Sequence, residues 1–318
     1  MLKVLVTGGF GYLGGRLAQA LACSRDYDVT LATRRTIRPL ASSAIITGVD
    51  WTSDVELQRA CEGINAVVHL AGMNAADCAS DPVAALECNG MCTARLLRAA
   101  VRQRVTRFLY LSTAHVYGAE LKGCVDEQTR LGARHPYATS HRAGEDAVRF
   151  AHDTGAISGL VIRLSNSFGA PADPGVDCWS LVTNDMCWQA VNTRCMVLRS
   201  TGTQRRDFVP VSEVCRALAH LMAMSEAELG DGVFNVGGSW APTILEMAEY
   251  IAARVEIVLG FRPRIALGTD RDSVGDQPLE YCVKKLISSG FDMRRDAVVE
   301  ELDRLIIFCT QQPGRLGK

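Results

Sequence analysis

Tyr137 and His141 stand four residues apart in Pro136-Tyr137-Ala138-Thr139-Ser140-His141. On a helix that spacing puts both side chains on one face, a single turn apart. A phenol and an imidazole so placed can hold and pass a proton. The phenol alone is a poor base at neutral pH, because its unperturbed pKa is about 10. A neutral imidazole hydrogen-bonds a nearby hydroxyl but lends the phenol little field. A protonated one would do both, at or below a pKa of about 6.5 unless a neighbour raises it. The second chemical feature is Thr7-Gly8-Gly9-Phe10-Gly11-Tyr12-Leu13-Gly14, with glycines three residues apart at 8, 11 and 14. A strand that turns sharply into a helix facing a pyrophosphate needs glycine there, since side chains would keep the backbone N–H groups away from it. The position of this turn, between the strand-like Val4-Leu5-Val6 and an amphipathic helix, points to a dinucleotide site over a plain tight turn.

The elements that must position these residues alternate along the first half of the chain. Strands are predicted at Lys3–Val6, Val29–Ala32, Ala44–Thr47, Ala66–Leu70, Phe108–Ser112 and Gly159–Leu164. Between them, helical patterns run over Leu13–Cys23, over Pro82–Arg102 with its proline in the first turn, and from near Pro136. Strands and helices alternating at these lengths predict an α/β fold, a Rossmann-type doubly wound parallel sheet. After Gly169 the rhythm breaks at Pro171, Pro174 and Gly175. The expected division is a dinucleotide-binding domain over 1–169 and a mainly substrate-binding region over 170–318, with some of its elements returning to the sheet.

Composition sets outer bounds. The 318 residues suffice for one large α/β unit plus a smaller lobe. Lys and Arg number 34 against 35 Asp and Glu, so no strong field argues for nucleic acid or an anionic membrane. No apolar run nears the roughly 20 residues that span a bilayer. Met1 leads straight into the first strand, unlike a signal peptide. The 12 cysteines are scattered without a C-x-x-C pair. Cys88 and Cys92 share a helical spacing but lack further ligands of metal spacing, so the cysteines read as small buried hydrophobes. A cytoplasmic protein without metal is expected.

Across nearly its whole length the chain resembles the extended short-chain dehydrogenases/reductases of the NAD(P)-dependent epimerase/dehydratase family. The resemblance is carried by the glycine-rich turn, by Asp50-Trp51, and by Val68-His69-Leu70-Ala71-Gly72. Asn89, Leu111-Ser112-Thr113-Ala114-His115-Val116-Tyr117-Gly118, Tyr137 with its helix, Arg163-Leu164-Ser165-Asn166-Ser167-Phe168-Gly169, Arg205-Arg206-Asp207-Phe208-Val209 and Gly232-Val233-Phe234-Asn235-Val236-Gly237 continue it in order. It implies hydride transfer at a carbon of a nucleotide-linked sugar, with catalytic residues Thr113, Tyr137 and His141. The cofactor would meet Gly8, Phe10, Gly11, Tyr12, Leu13, Gly14, Arg34, Arg35, Asp50, Trp51, Leu70, Ala71, Gly72, Asn89, Tyr137 and His141. Substrate would meet Asn166, and Arg206, whose guanidinium can take two phosphate oxygens at once or instead pair with Asp207. His115 joins them as an auxiliary group, two residues past Thr113 and on the same side if the strand continues. The resemblance also implies a homodimer built on Pro82–Arg102 and Tyr137–His152.

Two departures matter. His141 stands where the family carries a lysine, which favours phenolate and binds the nicotinamide ribose. The site is therefore either tuned differently or weakened in redox chemistry. Ala114-His115 fills the positions where a dehydratase carries an Asp-Glu pair, which disfavours dehydration and leaves epimerase or keto-sugar reductase. The strand end at Thr30-Leu31-Ala32-Thr33-Arg34-Arg35 offers two arginines and no carboxylate, which suits the 2′-phosphate of NADP over the free ribose of NAD. A non-sugar short-chain reductase and a cofactor-binding protein of weakened catalysis stay open.

Overall fold

The computed structural model describes residues 1–34, 44–269 and 277–312. Its strands are β1 (Leu2–Thr7), β2 (Tyr27–Thr33), β3 (Ile45–Gly48), β4 (Ala66–His69), β5 (Arg107–Thr113), β6 (Gly123–Val125), β7 (Ser158–Leu164), β8 (Asn166–Phe168), β9 (Cys195–Val197), β10 (Phe208–Pro210), β11 (Val233–Val236), β12 (Arg264–Ala266) and β13 (Leu279–Tyr281). Seven of them form a parallel sheet in the order β11-β7-β5-β4-β1-β2-β3. The order reverses between β1 and β4, which opens a crevice above their carboxyl ends.

Helices cover both faces, so the strands read as unbroken apolar runs. Val4 and Val6 join the core on one face with Leu109, Leu160 and Ile162. Leu5, pointing the other way, joins Val67, Phe108, Tyr110 and Val161. A third core, around Phe168, Met186, Met247, Ile251 and Leu305, holds the C-terminal lobe. The lobe is fastened to the first helix by a buried pair in which Arg16 Nη1 and Nη2 donate to Glu301 at 2.6 and 2.9 Å. Three short parallel pairs, β8–β10, β9–β12 and β6–β13, complete the described strands.

Three sequence expectations change. The stretch Pro82–Arg102 is helical throughout but not uniformly α: Leu86–Cys92 is a π segment between α-helical Pro82–Ala85 and Thr93–Arg102. An apolar pattern of helical period does not reveal where one residue is inserted into a turn. β5 ends at Thr113 and passes into a 3₁₀ turn over Ala114–Val116, so strand alternation does not carry to His115. Only seven of the cysteines are buried; Cys23 and Cys124 are exposed, and Cys88, Cys92 and Cys195 are partly so.

Candidate active site

A cleft of about 970 Å³ lies over the carboxyl ends of β1, β2 and β4. Gly8, Phe10, Gly11, Arg34, Asp50, Trp51, Leu70, Ala71 and Gly72 all line it, as do Glu87, Cys88 and Cys92. The glycines are demanded by the turn itself. Gly8 has φ +70°, and a Cβ there would meet the Ala71 nitrogen at 2.8 Å. A Cβ on Gly14 would lie 2.1 Å from the Gly8 carbonyl oxygen. The helix Tyr12–Ala22 thus starts hard against β1, with its first N–H groups toward the cleft. This cradle and the cleft's size fit a dinucleotide. Arg35 lies outside the described residues.

Of the expected cofactor contacts, Tyr12, Leu13, Gly14, Asn89, Tyr137 and His141 are not among the residues lining this cleft. The Tyr12 hydroxyl is buried away from the cleft among Arg16, Asn184 and Glu301. Leu13 packs on the core and Gly14 is buried, so what this helix start offers a ligand is backbone. Asn89 is 1% exposed and its amide is spent on structure. Its Oδ1 accepts from the Met73 N–H at 2.8 Å and its Nδ2 donates to Ser140 Oγ at 3.0 Å. It holds the cleft wall; it does not face the cleft.

Behind that wall runs a buried chain of hydrogen bonds that the sequence reading missed. Thr93 Oγ1 donates to the Asn89 carbonyl at 2.7 Å, so His69 Nε2, 3.0 Å from Thr93 Oγ1, must be the donor of its pair. His69 Nδ1 is then the acceptor from Thr7 Oγ1 at 2.6 Å, and Thr7 Oγ1 accepts in turn from the Leu70 and Ala71 N–H groups. Tyr110 Oη lies 3.2 Å from the same Asn89 carbonyl and 2.9 Å from His141 Nδ1. The chain therefore joins the glycine-rich turn to His141. Burial pushes the pKa of His69 down to about 3, with His141 adding to it. Burial likewise pushes His141 down to about 4, with His115 adding. Both imidazoles are neutral at neutral pH.

Tyr137 opens the helix Pro136–Asp153, whose proline stands in the first turn, and the Tyr137 N–H donates to His135 Nδ1 at 3.2 Å. Its ring meets the His141 ring edge-on, with centroids 4.6 Å apart, and the His115 ring at 6.1 Å. Burial raises its pKa above the ordinary phenol, while a hydrogen bond with Thr113 pulls the other way. Thr113 itself ends β5 and accepts from the His115 N–H at 3.2 Å. His115 is exposed, yet the surrounding protein lowers its pKa, helped by Arg206 and His135. Arg206, close enough to act on His115, donates from Nε and Nη2 to Gln204 Oε1 at 3.1 and 2.9 Å. Asn166 Nδ2 donates to the Asp207 carbonyl at 2.9 Å. Asp207 is buried, accepting from Ser165 Oγ and the Gly238 and Trp240 N–H groups, and burial raises its pKa to about 6.

The profile of the NAD dependent epimerase/dehydratase family matches residues 4–237. The chain belongs to this family. A dTDP-glucose 4,6-dehydratase of Streptomyces niveus is 30% identical over 266 residues, 79% of this chain and 76% of that protein. Another, from Actinoplanes sp., is 30% identical over 289 residues, 85% of this chain and 86% of its own length. Among solved structures, MoeE5 in complex with UDP-glucose and NAD is 27% identical, with a TM-score of 0.78 over 98% of this chain and 99% of that one. The protein is accordingly an enzyme of the NAD-dependent nucleotide-sugar epimerase/dehydratase kind, on a Rossmann-type sheet.

Under Thr113 this family member carries a second buried device. Glu145 accepts from Ser112 Oγ at 2.5 Å and from Arg163 Nη2 at 2.8 Å. Burial works against the Arg163 charge, yet the Glu145 hydrogen bonds and charge hold its pKa above the ordinary value. Arg163 Nη1 also donates to Tyr117 Oη and to the Glu127 carbonyl, both at 3.1 Å. Tyr117 Oη donates to Asn235 Oδ1 at 2.6 Å, and Tyr281 Oη lies 2.8 Å from the Arg163 carbonyl oxygen and 3.0 Å from Asn235 Oδ1. This network fixes the end of β5 from beneath.

Proposed function

We propose that the protein is an NADP-dependent reductase of a nucleotide-linked keto-sugar, in which Tyr137 delivers the proton and Thr113 shares the substrate oxygen. The observation that carries this reading is the company Tyr137 keeps: a hydrogen bond with Thr113, and no cation in the position one turn on. An epimerase must begin with oxidation, which asks the phenol to act as phenolate. With His141 neutral and burial raising the phenol's pKa, phenol is the resting form at neutral pH. The reductive half draws on that form directly. When bound, the reduced nicotinamide supplies the hydride. Tyr137 holds the proton at Oη and gives it to the forming alkoxide, and Thr113 Oγ1 orients that oxygen. His141, with Nδ1 on Tyr110, keeps Nε2 for a ribose hydroxyl and buttresses the Tyr137 ring.

The remaining assignments follow the cleft. Arg34 lines it at the end of β2 with no carboxylate beside Thr33, which favours the 2′-phosphate of NADP, although MoeE5 is held with NAD. Arg206 and Asn166 are offered to the diphosphate and the sugar, with the exposed His115 as an auxiliary group. The curated relatives named above are dehydratases, but Ala114 and His115 supply no carboxylate for dehydration. Val83, Leu86, Met91 and Phe150 are large exposed apolar residues on the two helices expected to dimerise, which supports a homodimer there.

The test is NADPH consumption, followed by absorbance, with a panel of UDP- and dTDP-linked 4-keto sugars. Consumption with one of them, lost in Tyr137→Phe while NADPH binding persists, supports the reading. Interconversion of UDP-hexose epimers without net NADPH consumption would replace it with an epimerase.

A further inference from the structure

The register of β6 against β13 sets Cys124 opposite Glu280. Cys282 lies two residues past Glu280, and the ladder continues to it, since the Cys282 N–H donates to the Val125 carbonyl at 2.9 Å. Positions 280 and 282 project from one face of their strand, as position 124 does from its own. The two thiol sulfurs and a carboxylate oxygen of Glu280 thereby come within 4.8 Å of one another. We propose that Cys124, Glu280 and Cys282 form a binding site for a soft divalent cation of the zinc class, clamping β6 to β13.

Two thiolates with a carboxylate are a donor set suited to such a cation, with solvent as the fourth ligand. Cys124 and Glu280 are exposed, so water reaches the site, while Cys282 is buried beneath them. The alternative use of two close thiols, a disulfide, fits less well. Diagonal partners in a parallel pair lie about 8 Å apart between Cα atoms, from ~4.8 Å between strands and ~3.3 Å per residue along them. That exceeds the ~7 Å over which a disulfide closes without backbone movement. Two sulfurs on one tetrahedral cation, each at about 2.3 Å, stand about 3.8 Å apart, which this geometry reaches with small rotations.

Lys284 Nζ sits 3.4 Å from Glu280 Oε1, with both side chains largely in solvent. It can swing away at little cost. The clamp would also reach the site already described. Asn235 Nδ2 donates to the Cys282 carbonyl at 3.1 Å and to the Val125 carbonyl at 3.3 Å, one on each clamped strand. Through Asn235 the cation would stiffen the Tyr117, Tyr281 and Arg163 network under Thr113.

The experiment uses the full chain, reduced and stripped of metal, titrated with cobalt(II) in the absence of air. The expected result is one equivalent bound, with a thiolate-to-cobalt charge-transfer band and the visible bands of tetrahedral cobalt. Cys124→Ser and Cys282→Ser should each abolish the charge-transfer band or sharply reduce it, Glu280→Gln should weaken affinity, and Cys23→Ser should change nothing. In the unmutated chain, zinc at about ten times its dissociation constant should slow alkylation of Cys124 about tenfold. No thiolate band, a band that survives both cysteine changes, or unslowed alkylation would overturn the proposal. So would peptide mapping that finds Cys124 joined to Cys282 in a disulfide. Each readout is independent of turnover, so failure here and failure of the reductase reading are separate.

Discussion

Whether His141 is neutral or charged decides how the site works, and acid stability can read it. In the unfolded chain an imidazole protonates below about 6.5. In the folded protein burial holds His141 to about 4. Above pH 6.5 both states carry it neutral and it contributes no pH dependence. Between 6.5 and 4 the unfolded chain binds a proton that the folded one refuses, so stability falls as pH falls. The slope is about 1.4 kcal/mol per pH unit, which amounts to about 2 kcal/mol between pH 7.5 and 5. His69 acts in the same direction with a lower folded value, near 3. Asp207, raised to about 6, acts oppositely, because the folded state binds its proton first as pH falls. Both are present in wild type and in His141→Gln, so they cancel in the difference. Urea unfolding of the two proteins at pH 7.5, 6 and 5 should show wild type losing about 2 kcal/mol more than the variant over that range. Parallel profiles would mean that His141 titrates normally in the fold. A wild type that gains relative to the variant on acidification would mean a stabilised imidazolium and would refute the neutral-histidine account of Tyr137.

Four further outcomes are expected. Keto-sugar reduction by the wild type should be flat in pH through neutrality and fall only as the Tyr137 phenol ionises, above about 10, whereas His141→Lys should draw that limb down toward neutral pH. A wild-type limb near pH 7 would contradict this. Arg34→Ala should weaken NADPH binding about tenfold and leave NADH within about twofold, as read by fluorescence titration. Gly14→Ala forces a Cβ to 2.1 Å from the Gly8 carbonyl, so the turn must shift at a cost of about 1–3 kcal/mol, seen as a lower thermal midpoint and weaker cofactor binding. Glu145→Gln leaves Arg163 charged and buried without its partner, for a loss of about 3–5 kcal/mol in urea; an unchanged midpoint would show that the pair contributes nothing.

The glycine-rich turn and the Tyr137–His141 pair were legible because each is local: a turn's backbone demands and one helical period. The doubly wound sheet was legible from alternation for the same reason, whereas β11 was expected only as one of the unspecified later elements returning to the sheet. The proton chain was not legible, because sheet register assembles it. β4 pairs with β5 so that His69 stands beside Tyr110, 41 residues away in the chain, and the Pro136–Asp153 helix then lays His141 over Tyr110. A partial signal existed. A tyrosine in the fully apolar Phe108-Leu109-Tyr110-Leu111 run must find a partner for its hydroxyl, and a histidine ending the Ala66-Val67-Val68 run must do likewise. Asn89 is a ligand contact only by the family resemblance, which carries no information on where its amide turns. The π segment turns it toward Met73 and Ser140, where a buried amide finds its partners. Cys124 and Cys282 escaped notice because spacing along the chain carries no trace of a β6–β13 register.

The buried chain also gives a physical reason why an imidazole can occupy position 141. Every described group around it is neutral or already paired: Tyr110 and Ser140 are hydroxyls, Asn89 presents a carbonyl, and the Glu145 carboxylate is taken by Arg163 and Ser112. An ammonium ion placed there would meet oxygen dipoles but no free carboxylate, so its charge would rest on those dipoles and on the bound ligand. An imidazole asks less. It needs one hydrogen-bond partner, which Tyr110 supplies, and it gives up its proton in place of paying for desolvation. The consequence falls on Tyr137, whose phenol keeps its proton because nothing one turn away attracts the charge. A site arranged in this way holds its proton ready for a substrate oxygen that is gaining electrons. That is the demand of carbonyl reduction, and it is why direction of proton transfer, more than loss of activity, is the expected mark of His141.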